Sequence, residues 1–115
     1  MTEEEIFYQF KDSDGKIYTF TMAQYLQHTH HVELKIANFK DRIKRAVCEP
    51  EFIYVNYGFS NRYCYYYLEA TISGRARYTK VVVEVKKNKR YSIITAFRPD
   101  NVKEAKYSKP IQSRP

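Results

Sequence analysis

The chain has 115 residues, of which 43% are hydrophobic, so it can form one domain with a buried core. Its formal net charge of +7 favours a polyanion such as nucleic acid, or an acidic protein, as a partner. No apolar run approaches the roughly 20 residues of a membrane span, and the acidic start is unlike a signal peptide, so we expect no membrane partner. Tyrosine occurs 12 times, which indicates either a sheet with one aromatic face or a platform for stacking bases.

The first part of the chain predicts a hairpin followed by two helices. Residues 6–20 contain two apolar runs around the turn sequence Asp12-Ser13-Asp14-Gly15, which is typical of a small hairpin. Thr21 and Gln24 match a capping box and predict a short helix to about Gln27. A longer helix is expected to end near Cys48, because a proline follows at position 50. Its apolar stripe has helical spacing and consists of Val32, Ile36, Phe39, Ile43 and Val47.

The remainder predicts four antiparallel strands and a tail. Strands are expected at residues 52–57 and 62–72, and the run 78–97 divides into two strands around a polar turn at residues 87–89. In the second of these strands, one face suits the core, and it consists of Cys64, Tyr66, Leu68, Ala70 and Ile72. The outer face then carries Tyr63, Tyr65, Tyr67, Glu69 and Thr71.

These elements define an expected fold. Because the helices precede the strands rather than alternate with them, we expect an α+β fold. In it, the N-terminal hairpin and the two helices pack on a four-stranded antiparallel sheet. Residues 1–115 form a single domain with its core at about 6–98, and the basic segment 99–115 is expected to be a flexible tail. Cys48 and Cys64 lack metal-ligand or CxxC spacing, so we expect both to be reduced.

All three histidines lie within four residues, as His28, His30 and His31. They have three interpretations. They could bind zinc, although Glu33 is the one nearby carboxylate and no cysteine is close. They could be solvated residues at a helix junction without a role. One of them could also act as a general acid or base beside a basic sheet, and take the proton of an RNA 2′-hydroxyl.

Basic side chains are frequent along the predicted strands, and a surface that only aids solubility is the simplest interpretation of them. They could also stabilise the negative charge that develops on a phosphoryl group. The residues on or beside the sheet are Arg62, Arg75, Arg77, Lys80, Lys86, Arg90 and Arg98. Thr95 in the last strand has a hydroxyl that could contact a phosphate oxygen, although threonine is also common in strands for its β propensity.

Several short motifs, in this order, resemble the barnase–EndoU–colicin–RelE group of small nuclease domains. His30-His31-Val32-Glu33-Leu34 is similar to the RHPEL-type start of the long helix, with His in place of Arg and Val in place of Pro. Glu49-Pro50-Glu51-Phe52-Ile53 is similar to the step from that helix into the sheet. The stretches 62–67, 78–83 and 93–97 resemble the later strands of the group. The resemblance covers about residues 21–98.

The resemblance implies a function and a site. It implies a metal-independent endoribonuclease without a cofactor, in which 2′-hydroxyl attack leaves a 2′,3′-cyclic phosphate, with tRNA among the substrates. Such toxin domains act in the cytoplasm, can be delivered within a larger exported toxin, and are inhibited by an acidic immunity or antitoxin protein. The implied catalytic residues are His31, with His28 as its rival, and Arg62, Lys80 and Thr95. We expect RNA to contact Tyr63, Tyr65, Tyr67, Arg77, Arg98 and His30.

Two other functions fit the same residues. In a non-catalytic RNA- or DNA-binding module, the tyrosines would stack on bases and the cations would bind phosphates. In an adaptor for an acidic protein, the positive charge would have no role in nucleic-acid binding. The histidines distinguish the nuclease from the binding module, and salt-sensitive binding of nucleic acid distinguishes both from the adaptor.

Overall fold

The strands of this chain join into one six-stranded sheet in the computed structural model, which describes residues 5–27, 39–72 and 74–115. The strands are β1 (Ile6–Lys11), β2 (Ile17–Thr21), β3 (Phe52–Val55), β4 (Arg62–Ile72), β5 (Arg75–Val85) and β6 (Arg90–Phe97). Their order across the sheet is β1-β2-β6-β5-β4-β3. The chain therefore has an α+β fold built on a mixed sheet.

Two α-helices accompany the sheet in the described residues, α1 (Met22–Gln27) and α2 (Phe39–Cys48). The Thr21 Oγ1 atom accepts a hydrogen bond of 3.2 Å from the backbone amide of Gln24, which confirms the predicted N-cap. Ile43, Ala46 and Val47 on α2 are buried, since the apolar stripe of this helix faces the sheet. The beginning of the predicted second helix lies outside the described residues.

The predicted four-stranded antiparallel sheet is wrong. Strand β2 pairs in parallel with β6, where Ile17 lies opposite Arg90, and β1 extends the sheet by one more strand. The N-terminal hairpin is therefore part of the sheet rather than a layer packed on it. Its backbone groups satisfy the edge of β6, which would otherwise be open to other chains. The pairing joins segments about seventy residues apart, and no local pattern in the sequence indicates it.

Each face of the sheet has its own core. The helix face carries the larger one, which includes Phe20, Ile43, Tyr65, Val81 and Ile93. The opposite face, which we call the tail face, carries Tyr54, Cys64, Tyr66 and Val82, with Val102 of the C-terminal segment packed against them. Because both faces are covered, the central strand β5 reads as a run of consecutive valines rather than as a strict alternation.

The predicted outer face of β4 is also wrong. Tyr65 is fully buried in the core of the helix face, and Tyr63 and Tyr67 pack partly buried against that core. Arg45 of α2 lies over the Tyr67 ring, 5.6 Å from its centroid. Cys64 and Tyr66 are buried as expected, but under the C-terminal segment instead of the helices. Alternation alone separates the two faces of a strand, but it does not identify which layer covers each face.

Residues 99–115 begin on the tail face, pass the edge strand β3 and end against residues of the helix face. The flexibility expected for this segment stays a prediction. A 3₁₀-helix (Lys103–Lys106) lies in this segment, and the Ile111 amide donates a 2.8 Å hydrogen bond to the Ile53 carbonyl of β3. At its end, Arg114 lies 3.6 Å from the Asp12 carboxylate, and the Pro115 carbonyl accepts hydrogen bonds from Lys16 and Tyr91. The segment is thus held at several separate points.

Candidate functional site

A buried ion pair joins the C-terminal segment to the sheet. The Lys80 Nζ atom of β5 lies 2.8 Å from Oε1 of Glu104 in the 3₁₀-helix, and the two residues are 8% and 6% exposed. Removing two charges from water is costly, so such a pair is stable only where further hydrogen bonds satisfy it. The neighbours of Glu104 therefore decide whether this site is well formed.

Glu104 has additional partners on β4. The Tyr66 hydroxyl donates to both of its carboxylate oxygens, at 2.7 and 3.1 Å, and the Cys64 thiol also bonds to it. Burial favours a higher pKa for Glu104, but the hydrogen bonds from Lys80, Cys64 and Tyr66 outweigh it and lower the pKa below the usual value. Burial, followed by the bond to Glu104, raises the pKa of Cys64 to about 12. Glu104 is therefore a charged carboxylate at neutral pH.

The register of the sheet explains the position of Lys80. Tyr66 lies opposite Lys80 on β4, and Phe97 lies opposite it on β6. The Lys80 ammonium is 5.4 Å from the centre of the Tyr66 ring and 5.3 Å from that of Phe97, so both rings favour its charge. A rigid strand, two aromatic rings and a carboxylate thus hold this ammonium in place.

Lys80 and Glu104 border an open pocket of about 710 Å³, a volume within the range of small-molecule and cofactor sites. The other lining residues come from the β3–β4 loop and from the C-terminal segment, and they are Asn56, Tyr57, Lys103 and Tyr107. Because Lys80 and Glu104 neutralise each other, Lys103 supplies the net positive charge of the lining. The pocket therefore offers two aromatic rings, an amide and a cation.

Local structure positions the two lining tyrosines. Tyr57 precedes Gly58, whose φ of 92° suits a glycine, and the Phe59 amide closes the turn with a 3.1 Å bond to the Asn56 carbonyl. Tyr107 follows the 3₁₀-helix, and its amide donates a 3.0 Å bond to the backbone carbonyl of Glu104. The position of Tyr107 therefore depends on the residue that binds Lys80.

Two further predicted catalytic residues lie on the sheet but do not line the pocket. Arg62 forms a 2.9 Å ion pair with Glu84 and lies over the Phe59 ring. Glu84 and Lys80 are four residues apart on β5, so Arg62 is about 13 Å along the strand from Lys80. Thr95 lies opposite Val82 of β5, beside a bulge, and its buried hydroxyl has no hydrogen-bond partner among the described residues.

The other predicted site residues that the structure describes are not brought together at the pocket. Arg77 is exposed and donates a 3.2 Å hydrogen bond to the Arg98 carbonyl, and Tyr63, Tyr65 and Tyr67 belong to the helix face. His28, His30 and His31 lie outside the described residues. Of the eleven residues that the sequence suggests, Lys80 is the one whose side chain lines the pocket in the described part of the chain.

Sequence reasoning missed Lys103, Glu104 and Tyr107, because the sequence predicts a flexible tail for residues 99–115. One signal was available. Only Asp100 and Glu104 are acidic in this otherwise basic segment, and an isolated acid beside a strand with a central lysine can form an ion pair. Tyr107 gave no periodic signal, since it lies just outside a regular element. Asn56 and Tyr57 end the predicted strand 52–57, whereas β3 ends at Val55 and both residues belong to the loop that follows it.

No protein-family model matches this sequence, and no characterised protein or solved structure is significantly similar to it. None of the described helices is long and apolar enough to cross a membrane.

Proposed function

We propose that this chain is a metal-independent endoribonuclease and that its RNA strand passes through the pocket on the tail face. The observation that supports this proposal best is the lining of this pocket. It combines the exposed cation Lys103 with two exposed tyrosines, beside Lys80, which the sequence suggests as a phosphate contact. Aromatic rings and cations that alternate along one surface are typical of sites for single-stranded nucleic acid.

The proposed reaction requires few groups. A base removes the 2′-hydroxyl proton, the 2′-oxygen attacks phosphorus, and the 5′-oxygen leaves with a proton from an acid, which gives a 2′,3′-cyclic phosphate. His31, with His28 as its rival, is proposed for acid–base work. Lys103 is proposed to stabilise the phosphoryl oxygens, because Glu104 neutralises the charge of Lys80. Glu104 is a poor candidate for the base, because several donors satisfy its carboxylate and lower its pKa.

The test is incubation of the purified protein with total cellular RNA in EDTA, beside His31→Ala, His28→Ala and, as a matched control from the same stretch, Thr29→Ala. We expect discrete fragments from the parent protein and from Thr29→Ala, and intact RNA from one of the two histidine variants. The fragments should carry 2′,3′-cyclic phosphate ends, which block a ligase that needs a 3′-hydroxyl until the ring is opened and the phosphate is removed. Intact RNA with the parent protein, at several protein concentrations, would overturn the proposal.

The exposed tyrosines of the pocket also favour a second candidate, a non-catalytic RNA-binding module. In that case RNA stays intact with every variant, the histidine substitutions change affinity little, and Lys103→Ala weakens salt-sensitive binding. If the protein binds no nucleic acid at low salt, both candidates fail, and an adaptor for an acidic protein is left.

The biological setting follows the same proposal. As a toxin domain, the chain would act on RNA in the cytoplasm, alone or as part of a larger exported toxin, and an acidic immunity or antitoxin protein would inhibit it. The net charge of +7 suits such an inhibitor. Induced expression should arrest cell growth, and a variant that lacks cleavage should not. If the variant that lacks cleavage also arrests growth, the toxicity does not depend on RNA cleavage.

A further inference from the structure

The two most exposed aromatic side chains of the described residues are neighbours. Tyr57 is 86% exposed and Tyr107 is 66% exposed, yet their ring centroids are only 6.4 Å apart. They come from the β3–β4 loop and from the C-terminal segment, fifty residues apart in the sequence. The backbone at each tyrosine is fixed by its own local turn, so the proximity of the two rings is a feature of the tertiary structure rather than of one loop.

The two rings form a tilted pair that is open to solvent. Their planes are inclined by 34° at a centroid distance of 6.4 Å, an inclination close to the 35° of the core pair Tyr18 and Tyr91. Unlike that buried pair, Tyr57 and Tyr107 are largely exposed, so a flat ring from solvent can stack on them.

We propose that Tyr57 and Tyr107 form a platform on which an unpaired nucleobase stacks, so that the chain selects single-stranded RNA. This inference rests on the proposed function and names its substrate class. Every base has an aromatic face, so the contact tolerates different sequences. A base inside a duplex is already stacked and paired and cannot stack on the tyrosines, so loops and single strands are preferred.

The rest of the pocket fits the remainder of a nucleotide. Lys103 is exposed beside the rings and can bind the phosphate that follows the base. The Asn56 side chain can donate and accept hydrogen bonds at a base edge. The volume of about 710 Å³ is sufficient for one nucleotide together with part of the next.

The experiment measures fluorescence anisotropy with a labelled 2′-O-methyl oligonucleotide, which has no free 2′-hydroxyl and is not cleaved by 2′-oxygen attack. The variants are Tyr57→Ala, Tyr107→Ala, Tyr57→Phe and Tyr107→Phe. Phe59→Ala is the matched control, because Phe59 is an exposed aromatic residue of the same loop that does not line the pocket. Both tyrosines are largely exposed, so their substitution should leave the fold intact, which circular dichroism can verify.

We expect each alanine variant to bind at least about five-fold more weakly, since stacking on one side chain contributes roughly 1–3 kcal/mol per base. The phenylalanine variants and Phe59→Ala should stay within about two-fold of the parent, and a duplex of the same sequence should compete poorly. Alanine variants that bind like Phe59→Ala, or a duplex that competes as well as the single strand, would overturn the inference.

This result is distinguishable from a failure of the proposed function. If the parent protein cleaves RNA and the alanine variants bind normally, the nuclease stands and the base site fails. If the parent protein leaves RNA intact but the alanine variants lose affinity, the base site stands and belongs to a binding module.

Discussion

Glu104 connects three parts of the molecule through one carboxylate. Its carboxylate forms an ion pair with Lys80 on β5 and accepts hydrogen bonds from Tyr66 on β4. Its backbone carbonyl accepts a hydrogen bond from the Tyr107 amide. Its removal would leave the Lys80 ammonium buried between two rings without its anion. Breaking a buried pair is costly for this reason, whereas replacing both partners can cost little.

Glu104→Gln should lower the free energy of unfolding by about 3 kcal/mol, because it leaves the buried Lys80 charge uncompensated. Glu104→Gln combined with Lys80→Met should be more stable than Glu104→Gln alone, since the second change removes that charge. Urea unfolding of the parent, the two single variants and the double variant measures the coupling. Strictly additive losses would mean that the two side chains do not interact in solution.

The stability of the protein should fall in acid, and Glu104 should account for part of the loss. Its pKa in the folded state is below the usual 4.5, so its stabilising contribution is present above that pH and is lost as the pH falls through the lowered value. The same sign applies to Asp12, whose pKa is lowered by its hydrogen bonds and by Arg114 against the effect of burial. Urea unfolding between about pH 7 and pH 3 should show a smaller decrease for Glu104→Gln than for the parent. An equal decrease in the free energy of unfolding for the parent and for Glu104→Gln would show that Glu104 does not contribute to the acid sensitivity.

At the scale of elements, the β5–β6 hairpin was predictable because its signals are local. The polar turn at residues 87–89 separates two β-branched runs, and the structure pairs Val83 with Ile93 and Val85 with Tyr91. Asn88 and Lys89 have φ angles of 60° and 58°, as a two-residue turn of type I′ requires. Asparagine tolerates this region, but lysine does not favour it.

Lys89→Gly should therefore stabilise the protein by about 0.5–1 kcal/mol, because glycine adopts a positive φ without steric cost. The Lys89 carbonyl, which accepts the Ile17 amide at 3.0 Å, is retained in the variant. The measurement is thermal unfolding, and the control is Lys87→Gly, because Lys87 is in the same turn but does not have a positive φ. Equal effects of the two substitutions would show that the conformation of the turn is not the cause.

The pairing of β2 with β6 shows where local reasoning ends. The sequence predicted both strands, but the hydrogen bonds between them depend on a meeting of distant segments. The site has the same property. Lys80 was accessible to sequence reasoning through its strand, whereas Tyr57, Glu104 and Tyr107 become neighbours only when the C-terminal segment crosses the sheet. Propensity and periodicity describe a segment, and they contain no information on which other segment covers it.

At the scale of the whole molecule, the C-terminal segment adds positive charge beside the pocket. Lys103, Lys106 and Lys109 are exposed there, while the basic turn of the β5–β6 hairpin lies at the far end of β5. A single strand that leaves the pocket along this segment would meet these lysines in succession.

RNA affinity should therefore fall steeply with salt, and Lys103→Ala should reduce the slope of log K against log salt by about 0.7, the value for one phosphate contact with a single strand. Lys87→Ala, in the hairpin turn, should leave the slope nearly unchanged. Titrations with the 2′-O-methyl oligonucleotide at several salt concentrations measure both slopes. A larger change in slope for Lys87→Ala than for Lys103→Ala would mean that the RNA binds near the β5–β6 turn instead of at the pocket.

The burial of Cys64 has a practical consequence. Its thiol lies under the C-terminal segment with a pKa of about 12, so very little of it is reactive at neutral pH while the segment is in place. Cys48, on α2, is only partly buried and belongs to the opposite face. A thiol reagent should therefore label Cys48 first. The slower labelling of Cys64 would then measure how often the segment separates from the sheet, and bound RNA that holds the segment should slow it further.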